Sequence, residues 1–291
     1  MDDWEKAGKI ASEAREYAKS LVKVDKSVLE VSKLIEKKII DLNGNPAFPV
    51  NISINDVTAH YTALINDESK FKENDLVKVD LGVHINGAIG DTAVTVDLGN
   101  NRELVRASEE ALNAAIKTVE PGVNVNKIGA VIHQVITDAG FSPIRNLSGH
   151  GLNLFKVHDR PTIPNFDNGD KTKLEEGQKI AIEPFASTGA GLIYEGKPSE
   201  IYSLHELKPI RNPNVRKILI YIVDNYKELP FAKRWLLDKF DRFNMNFSLN
   251  LLEKAGILYQ YPQLIERKKG SLVSQAEHSL IVGGKVTTRE C

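Results

Sequence analysis

The sequence feature that most constrains the fold is a β-hairpin predicted over residues 77–94. Apolar and polar residues alternate on both sides of the dipeptide Asn86-Gly87. This dipeptide favours a two-residue turn, because both central positions of such a turn need positive φ. The turn places Ile85 opposite Ala88 and thereby sets the pairing along both strands.

The hairpin register brings two carboxylates together. Gly82 lies opposite Asp91 and Asp80 opposite Ala93, so both aspartates lie on one face as diagonal neighbours. The other face carries the side chains expected in a core: Val79, Leu81, Val83, Ile85, Thr92 and Val94. Two carboxylates roughly 7–8 Å apart by backbone repel each other unless a cation lies between them. The hairpin therefore predicts a metal site.

The bulk composition excludes several classes of protein. The 291 residues are 42% hydrophobic and 26% charged, with a net charge of −1, so no basic surface for nucleic acid is indicated. The single cysteine, Cys291, excludes an intramolecular disulfide framework and a cysteine-based zinc site, and it fits a reducing compartment. No secretion signal precedes Trp4 and no apolar run approaches the roughly 18 residues of a membrane span, so we expect a cytoplasmic protein.

Helical and extended segments alternate in a similar order twice along the chain. Apolar residues recur at helical spacing over residues 3–22 and 26–42, and again over residues 102–117 and 126–139. Extended segments are predicted at residues 48–54 and 57–61. Apolar positions of the second and fourth helices match one hundred residues apart, which pairs Val28, Val31 and Ile35 with Ile128, Val131 and Val135. This repetition predicts an α/β (α+β) chain with two similar halves that face each other across a cleft.

The composition changes between residues 200 and 267. Lys, Arg, Tyr, Leu and Asn are frequent there, and helical patterns cover residues 213–225, 232–240 and 250–255. A strand pattern resumes at residues 272–282. We therefore expect one main domain, formed by residues 1–199 and 268–291, with an inserted helical subdomain at residues 200–267.

Three further residues have the chemistry of metal ligands. His150 lies between two glycines, which let the backbone approach closely, although a surface turn would explain it equally. Glu183 ends an apolar run before a proline, where a buried carboxylate needs a partner or a metal; a half-exposed strand end is the alternative. Glu277 is a polar residue inside the strand pattern of residues 272–282, and its neighbour His278 is expected to face the other way.

The remaining histidines divide into two groups. His60 and His158 follow strand-like or loop segments, and each is a candidate for proton transfer or oxyanion stabilisation beside a metal-activated water. Neither spacing proves such a role, and a surface histidine is the alternative for both. His84 lies near the hairpin turn, His133 in mid-helix and His205 in the inserted segment, so these three are predicted to be structural or solvated.

Several catalytic motifs do not occur in the sequence. There is no Gly-rich phosphate loop followed by Lys-Ser/Thr, no Gly-x-Gly-x-x-Gly after a strand, no Gly-x-Ser-x-Gly elbow and no His-Glu-x-x-His helix. Hydrolysis by a metal-activated water is the reaction class that remains.

The candidate residues, in this order, resemble those of the type II methionine aminopeptidases in their archaeal form. The segments that carry the resemblance are Ala59-His60-Tyr61, Val79-Asp80-Leu81-Gly82 with Asp91 after it, Gly149-His150-Gly151, Val157-His158, Ile182-Glu183-Pro184-Phe185 and Glu277. Residues 229–236 are similar to the insertion that separates type II from type I enzymes. The resemblance covers essentially the whole chain.

The resemblance implies a pita-bread fold with pseudo-twofold symmetry and a helical insertion. It implies two divalent ions, which in this family are cobalt, manganese, iron or zinc. Asp91 and Glu277 would bridge both ions, Asp80 would hold one of them, and His150 and Glu183 would hold the other.

The resemblance also implies an activity, the removal of the initiator methionine from nascent proteins whose second residue is small. The expected catalytic residues are His60, His158 and Glu183, and Phe48 and Phe185 would join the two histidines in lining the methionine pocket. The expected partners are N-terminal methionine peptides of nascent proteins near the ribosome, with no specific nucleic acid and no membrane, and we expect a monomer.

Two alternatives stay open at this point. A proline-directed peptidase of the same fold shares the five ligands but usually carries an additional N-terminal domain. A non-enzymatic scaffold of the same fold, binding RNA or proteins, would have replaced several ligands, whereas all five are present here.

Overall fold

The computed structural model describes residues 1–289, and Cys291 of the sequence analysis lies outside the described residues. Six α-helices occur in this part of the chain: α1 (Asp3–Leu21), α2 (Val28–Asp41), α3 (Arg102–Thr118), α4 (Val125–Asp138), α5 (Pro213–Tyr226) and α6 (Arg242–Lys254). The strands are β1 (Asn45–Pro46), β2 (Asn51–Ile54), β3 (Val57–Ala59), β4 (Leu76–Ile85), β5 (Ala88–Asp97), β6 (Ser142–Pro143), β7 (Ser148–Asn153), β8 (Lys156–Pro164), β9 (Lys179–Ile182), β10 (Phe185–Ser187), β11 (Ile193–Leu204), β12 (Phe231–Ala232), β13 (Leu258–Glu266), β14 (Val273–Gln275) and β15 (Glu277–Ile281).

The strands form three antiparallel sheets. The largest has eight strands in the order β1-β4-β5-β15-β9-β7-β8, with β2 paired to β4. A three-stranded sheet runs β14-β10-β6, and a four-stranded sheet runs β12-β11-β13-β3. The order of the largest sheet matters most for function, because it makes neighbours of strands that lie far apart in the sequence.

The predicted hairpin is formed by β4 and β5 in the expected register. Asn86 and Gly87 have φ values of 51° and 92°, so both turn positions lie in the left-handed region. Ile85 pairs with Ala88, and farther along Gly82 pairs with Asp91. The prediction that the two aspartates share one face is therefore confirmed.

Helices cover the face of this hairpin that points away from the aspartates. Helix α1 crosses β4 and β5 so closely that a Cβ atom on Gly90 would lie 2.6 Å from the Cα of Gly8. Helices α1 and α2 share an apolar core with β2 and β4, and helices α3 and α4 share another with β8, β9 and β15. Each fully buried aliphatic side chain contributes about 1.5–3 kcal/mol to stability. The opposite face of the sheet is left for polar side chains.

The two helix pairs confirm the predicted repetition, but the residue correspondence differs. The buried stripe of α2 consists of Val28, Val31, Ile35 and Ile39, and that of α4 consists of Val125, Ile128, Ile132 and Ile136. Val28 therefore corresponds to Val125, so its predicted match with Ile128 is wrong. Val131 and Val135 lie beside the stripe, because α2 begins two residues later and α4 one residue earlier than the sequence pattern indicated.

The segment from residue 200 to 267 is only partly helical. The helix predicted at residues 213–225 is confirmed as α5, but the pattern at residues 232–240 forms only a short 3₁₀ helix, Lys233–Leu236. The pattern at residues 250–255 is the end of α6, whose Asn-rich first half has weak helix propensity and was missed. Strand β11 continues through residue 200, and β12 and β13 add two further strands to the segment. The proposed domain boundary stays a prediction.

The strand predicted at residues 272–282 is two strands. It breaks at Ala276, and β14 pairs with β10 whereas β15 pairs with β5 and β9. The break directs the two halves into different sheets at the edge of the cavity described below. Within residues 1–289, no helix combines the length and the apolar character needed to cross a membrane.

Candidate metal centre

A cavity of about 200 Å³ lies on the polar face of the large sheet. All nine residues predicted for the site line it: Phe48, His60, Asp80, Asp91, His150, His158, Glu183, Phe185 and Glu277. The structure thus brings together side chains that are separated by up to 229 residues in the sequence. Their individual roles stay predictions.

Five adjacent strands each supply one of the predicted ligands. In the sheet order β4-β5-β15-β9-β7, these are Asp80, Asp91, Glu277, Glu183 directly after β9, and His150. Side chains on neighbouring strands that point to the same face lie within reach of one another. One ligand per strand therefore builds a compact cluster from a regular sheet.

The ligand atoms of this cluster are close together but not hydrogen-bonded to one another. His150 Nε2 lies 3.8 Å from Asp91 Oδ2 and 3.7 Å from Glu183 Oε1. One ligand atom from each of Asp91, His150 and Glu277 lies within 4.8 Å of the others. Metal–ligand distances of about 2.0–2.2 Å place two ligands of one ion about 3–4.4 Å apart. The gaps therefore fit a shared cation.

The electrostatics of the cluster also indicate a cation site. Burial raises the pKa of Asp80 to about 7, and burial followed by the charges of neighbouring carboxylates raises the pKa values of Asp91, Glu183 and Glu277 well above the usual range. Asp80 Oδ1 and Asp91 Oδ1 are buried without a hydrogen-bond partner. No Lys or Arg of the described chain lines the cavity. Divalent cations are the partners that satisfy such a crowded set of oxygen donors.

His150 is prepared to act as a neutral ligand. Burial lowers its pKa to about 3, and its Nδ1 lies 3.1 Å from the carbonyl oxygen of Gly151, which leaves Nε2 toward the carboxylates. The two flanking glycines are required by packing: a Cβ atom on Gly149 would lie 2.3 Å from the oxygen of Ala181, and one on Gly151 would lie 2.0 Å from the oxygen of Arg160. Close approach of the backbone, predicted from these glycines, is confirmed.

His60 and His158 lie beside the ligand cluster. His60 follows β3, and burial together with the nearby His158 lowers its pKa to about 4. The His158 ring centroid is 4.6 Å from that of His150, and desolvation by the surrounding protein lowers the pKa of His158 as well. Both imidazoles are therefore neutral near pH 7 and can each donate one hydrogen bond and accept another.

Two phenylalanines form part of the apolar wall of the cavity. Phe48 packs with Leu152, Val157 and neighbouring apolar side chains, and its ring lies directly over Gly82. Phe185 is fully buried in a smaller cluster with Ile144 and Val273. The cavity therefore has a polar floor of ligands and an apolar side wall.

Sequence reasoning missed three residues at this site. Gln275 is buried, and its Nε2 lies 3.3 Å from Glu277 Oε2 and 3.4 Å from Glu183 Oε2. Its position two residues before Glu277 in a strand pattern was an available signal. Tyr261 meets the His60 ring edge-on at 5.4 Å, and Asn51 pairs with Asp80 across β2 and β4. Tyr261 gave no signal, because its strand was predicted to be part of a helical segment.

The histidines that were predicted to lie outside the site do so. His278 faces the helices, where its Nδ1 lies 2.9 Å from Thr288 Oγ1 and 3.2 Å from Arg15 Nη1. His84 packs edge-on against Phe155 near the hairpin turn. His133 and His205 do not line the cavity.

The chain is similar in sequence to known metallopeptidases. Residues 2–212 match the sequence profile of metallopeptidase family M24. A methionine aminopeptidase from Archaeoglobus fulgidus is 48% identical over 286 residues, which cover 97% of this chain and 96% of that protein. One from Methanocaldococcus jannaschii is 44% identical over 287 residues, with coverage of 97% and 96%.

Solved structures show the same architecture. The methionine aminopeptidase of Thermotoga maritima superposes with a TM-score of 0.70 at 24% identity, covering 98% of this chain and 95% of that one. A thermophilic Arx1 superposes with a TM-score of 0.82 at 16% identity, covering 96% and 87%. At these sequence identities, the two structures are evidence for the fold only. Together with the family match, they confirm the predicted pita-bread fold.

Proposed function

Because the chain belongs to metallopeptidase family M24, among the methionine aminopeptidases, we propose that it removes N-terminal methionine from polypeptides whose second residue is small. The observation that carries this proposal is the ligand cluster, in which five adjacent strands each contribute one ligand-type side chain to a single cavity. A non-enzymatic scaffold would have no need of four buried carboxylates whose charges repel one another.

We propose two divalent ions as cofactors, and the donor set supports this number. Asp91 and Glu277, central in the sheet order, would bridge the ions, Asp80 would serve one ion, and His150 and Glu183 would serve the other. The short distances from His150 Nε2 to Glu183 and Asp91 support this division. When bound, such ions polarise the scissile carbonyl and make water a nucleophile at neutral pH.

The protein's own residues orient the substrate and move protons. The neutral imidazoles of His60 and His158 would donate hydrogen bonds to the oxygen that gains negative charge during attack. Glu183 would accept a proton at a carboxylate oxygen and return it to the leaving amine. Phe48 and Phe185 would contact the thioether side chain of methionine, which is apolar and flexible.

Hydrolysis of Met-Ala-Ser, compared with that of Xaa-Pro peptides, tests the proposed function. The protein would be stripped of metal, reconstituted separately with cobalt, manganese, iron or zinc, and assayed for free methionine. We expect Met-Ala-Ser to be the better substrate with at least one of these metals. Preference for Xaa-Pro would support a proline-directed peptidase instead, and no hydrolysis with any metal would support the scaffold.

The size of the methionine pocket depends on Gly82, which makes Gly82→Ala a test of the pocket. A Cβ atom at this position would lie 2.3 Å from Phe48 Cε1, and we expect the ring to move into the cavity that it lines. We expect KM for Met-Ala-Ser to rise by about tenfold or more, since one methylene in an apolar pocket is worth about 10- to 200-fold in specificity. Steady-state kinetics measures this change, with kcat expected to change less.

Gly44→Ala provides the control for that prediction. Its Cβ atom would lie 2.7 Å from Val83 Cγ1, a comparable overlap that involves a core side chain instead of the cavity. An equal rise of KM in both variants would show that the effect is general and that Phe48 does not line the substrate pocket.

The proposed substrates set the cellular context. N-terminal methionine is present on newly made chains, so we propose a cytoplasmic enzyme that acts as a monomer near the ribosome. Gel filtration and ribosome co-sedimentation at physiological salt test these two properties.

A further inference from the structure

His60 is held in a backbone conformation that it does not adopt readily. Its φ is 63°, in the left-handed region, where a residue with a side chain is strained. Such strain persists only where the surrounding structure holds it, and it is common at functional sites. The conformation of His60 therefore depends on the contacts of the segment that follows it, residues 61–65.

Strand β2 holds one side of this segment. The carbonyl oxygen of Tyr61 accepts a hydrogen bond of 2.7 Å from the N–H of Ile52. The hydroxyl of Thr62 donates a bond of 2.9 Å to the carbonyl oxygen of Val50. These two bonds belong to the main domain.

Arg234, from the 3₁₀ helix of the inserted segment, holds the other side. Its Nη1 donates to Thr62 Oγ1 at 2.8 Å and to the carbonyl oxygen of Ala63 at 3.1 Å. Thr62 thus accepts from Arg234 while it donates to Val50, so one hydroxyl links the insertion to the residue that precedes β2. Nη1 can make both contacts because it carries two N–H groups, and the second nitrogen of the guanidinium fork, Nη2, stays available for another acceptor.

A buried carboxylate fixes the position of Arg234. Its Nη2 donates to Glu36 Oε1 of helix α2, and Trp235 Nε1 donates to Glu36 Oε2 at 3.1 Å. Arg234 and Glu36 are each only 8% exposed. The ion pair therefore ties the insertion to α2 and to the segment after His60 at the same time.

A second contact from the insertion reaches the same segment. Glu200 Oε2 accepts from the N–H of Ile65 at 3.3 Å, and Lys233 Nζ donates to Glu200 Oε1 at 3.2 Å. The core of the insertion itself is apolar and includes Met245 and Leu252. The charged side chain of Arg234 is thus directed at the main domain, and that of Lys233 at Glu200, which itself contacts the segment after His60.

We propose that Arg234 is a positioning residue for His60, and that holding the segment after His60 is a function of the insertion. The Glu36–Arg234 pair keeps residues 62–63 against β2, and this keeps the His60 imidazole over the ligand cluster. Only the kinetic part of the test below rests on the proposed function, because the position of the segment can be measured without any substrate.

Arg234→Lys is the informative variant. Lysine keeps the charge that Glu36 requires, but its single nitrogen cannot bind Glu36 and also reach Thr62 and Ala63, which arginine does with two nitrogens. We expect kcat for Met-Ala-Ser to fall by about 10- to 100-fold with KM nearly unchanged, since a displacement of about 1 Å can cost about 10²-fold. We also expect faster hydrogen exchange in a peptide that covers residues 60–66, measured by mass spectrometry.

Met245→Ala is the matched control for lost stability, because Met245 is fully buried in the apolar core of the insertion and makes none of the hydrogen bonds that hold residues 61–65. At an equal loss of Tm, it should keep wild-type kcat and wild-type exchange in residues 60–66. Equal effects from both variants, or an unchanged kcat in a folded Arg234→Lys, would overturn the proposal.

If Arg234→Lys does not fold, Thr62→Val tests the positioning role in its place. It removes the hydroxyl shared by Arg234 and Val50 with little change of volume, and it should give the same fall in kcat and the same faster exchange. If the wild-type protein has no peptidase activity, the exchange comparison decides alone: faster exchange confined to residues 60–66 supports the positioning role, and unchanged exchange refutes it.

Discussion

Asp91→Ala is expected to lower kcat/KM for Met-Ala-Ser by at least about 10³-fold, because it removes a carboxylate placed at the centre of the ligand cluster. Charge stabilisation by metal ions is worth several kcal/mol in hydrolytic reactions, and each 1.36 kcal/mol corresponds to about tenfold in rate. Metal content, measured by mass spectrometry of the dialysed protein, should fall from about two ions to one or none.

Asp97→Ala is the control for this variant. Asp97 lies on the same strand and, by the period of two, on the same face as Asp91, but it caps the turn after β5 through Gly99 and Asn101. We expect it to lose some stability and to keep its metal content and kcat/KM. Full activity in a folded Asp91→Ala would contradict the two-metal proposal.

Removal of metal is expected to have the second largest effect, a loss of activity and a lower Tm. Without cations, the four buried carboxylates Asp80, Asp91, Glu183 and Glu277 have raised pKa values and repel one another when ionised. Ions that bind only the folded protein stabilise it by about 2.7 kcal/mol at one hundred times their dissociation constant. Chelation should therefore lower Tm by several degrees.

The stabilisation by metal should grow as pH rises from about 5 to 8. A carboxyl group with a raised folded pKa holds its proton when the unfolded chain has already lost it, so its contribution to stability falls with rising pH. For Asp80, the contribution to stability falls between about pH 4, near the pKa of the unfolded chain, and about pH 7, the pKa in the folded protein. Bound metal replaces these protons, so its affinity rises over the same window.

The pH dependence is best measured as the difference in Tm between metal-loaded and chelated protein. Buried histidines and Lys78, whose pKa is lowered to about 7 by burial, shift stability in the opposite direction. Lys78 donates to the carbonyl oxygens of Asn55 and Val273 and to none of the proposed ligands, so we expect its effect to cancel in the difference. A metal-induced rise in Tm that is constant from pH 5 to 8 would contradict the assignment of the carboxylates as ligands.

The hairpin shows how much of the site was predictable. Its register followed from Asn86-Gly87 alone, because turn chemistry sets the pairing of two strands that are adjacent in sequence. The side-chain period of two then placed Asp80 and Asp91 together. By contrast, the match of Val28 with Ile128 was wrong, because apolar spacing alone does not locate the first residue of a helix.

The insertion shows where prediction from the sequence ended. The helical reading of residues 232–240 overlooked that Arg234 and Trp235 both bind Glu36, almost two hundred residues earlier in the chain. Tyr261 was missed because its strand pairs with β11 and β3. Such strand pairings depend on residues that are distant in the sequence, so they cannot be predicted from the pattern of neighbouring residues.

The sequence by itself determined the hairpin, the amphipathic helices and the types of ligand, since these depend on turn chemistry and on short periodicities. The resemblance carried by the ordered ligands indicated the family. Only the tertiary structure decided that β4, β5, β15, β9 and β7 lie side by side, so that one side chain from each reaches a single cavity. It alone also decided that the inserted segment braces the strained His60, because contacts between distant residues depend on the order of strands in the assembled sheets.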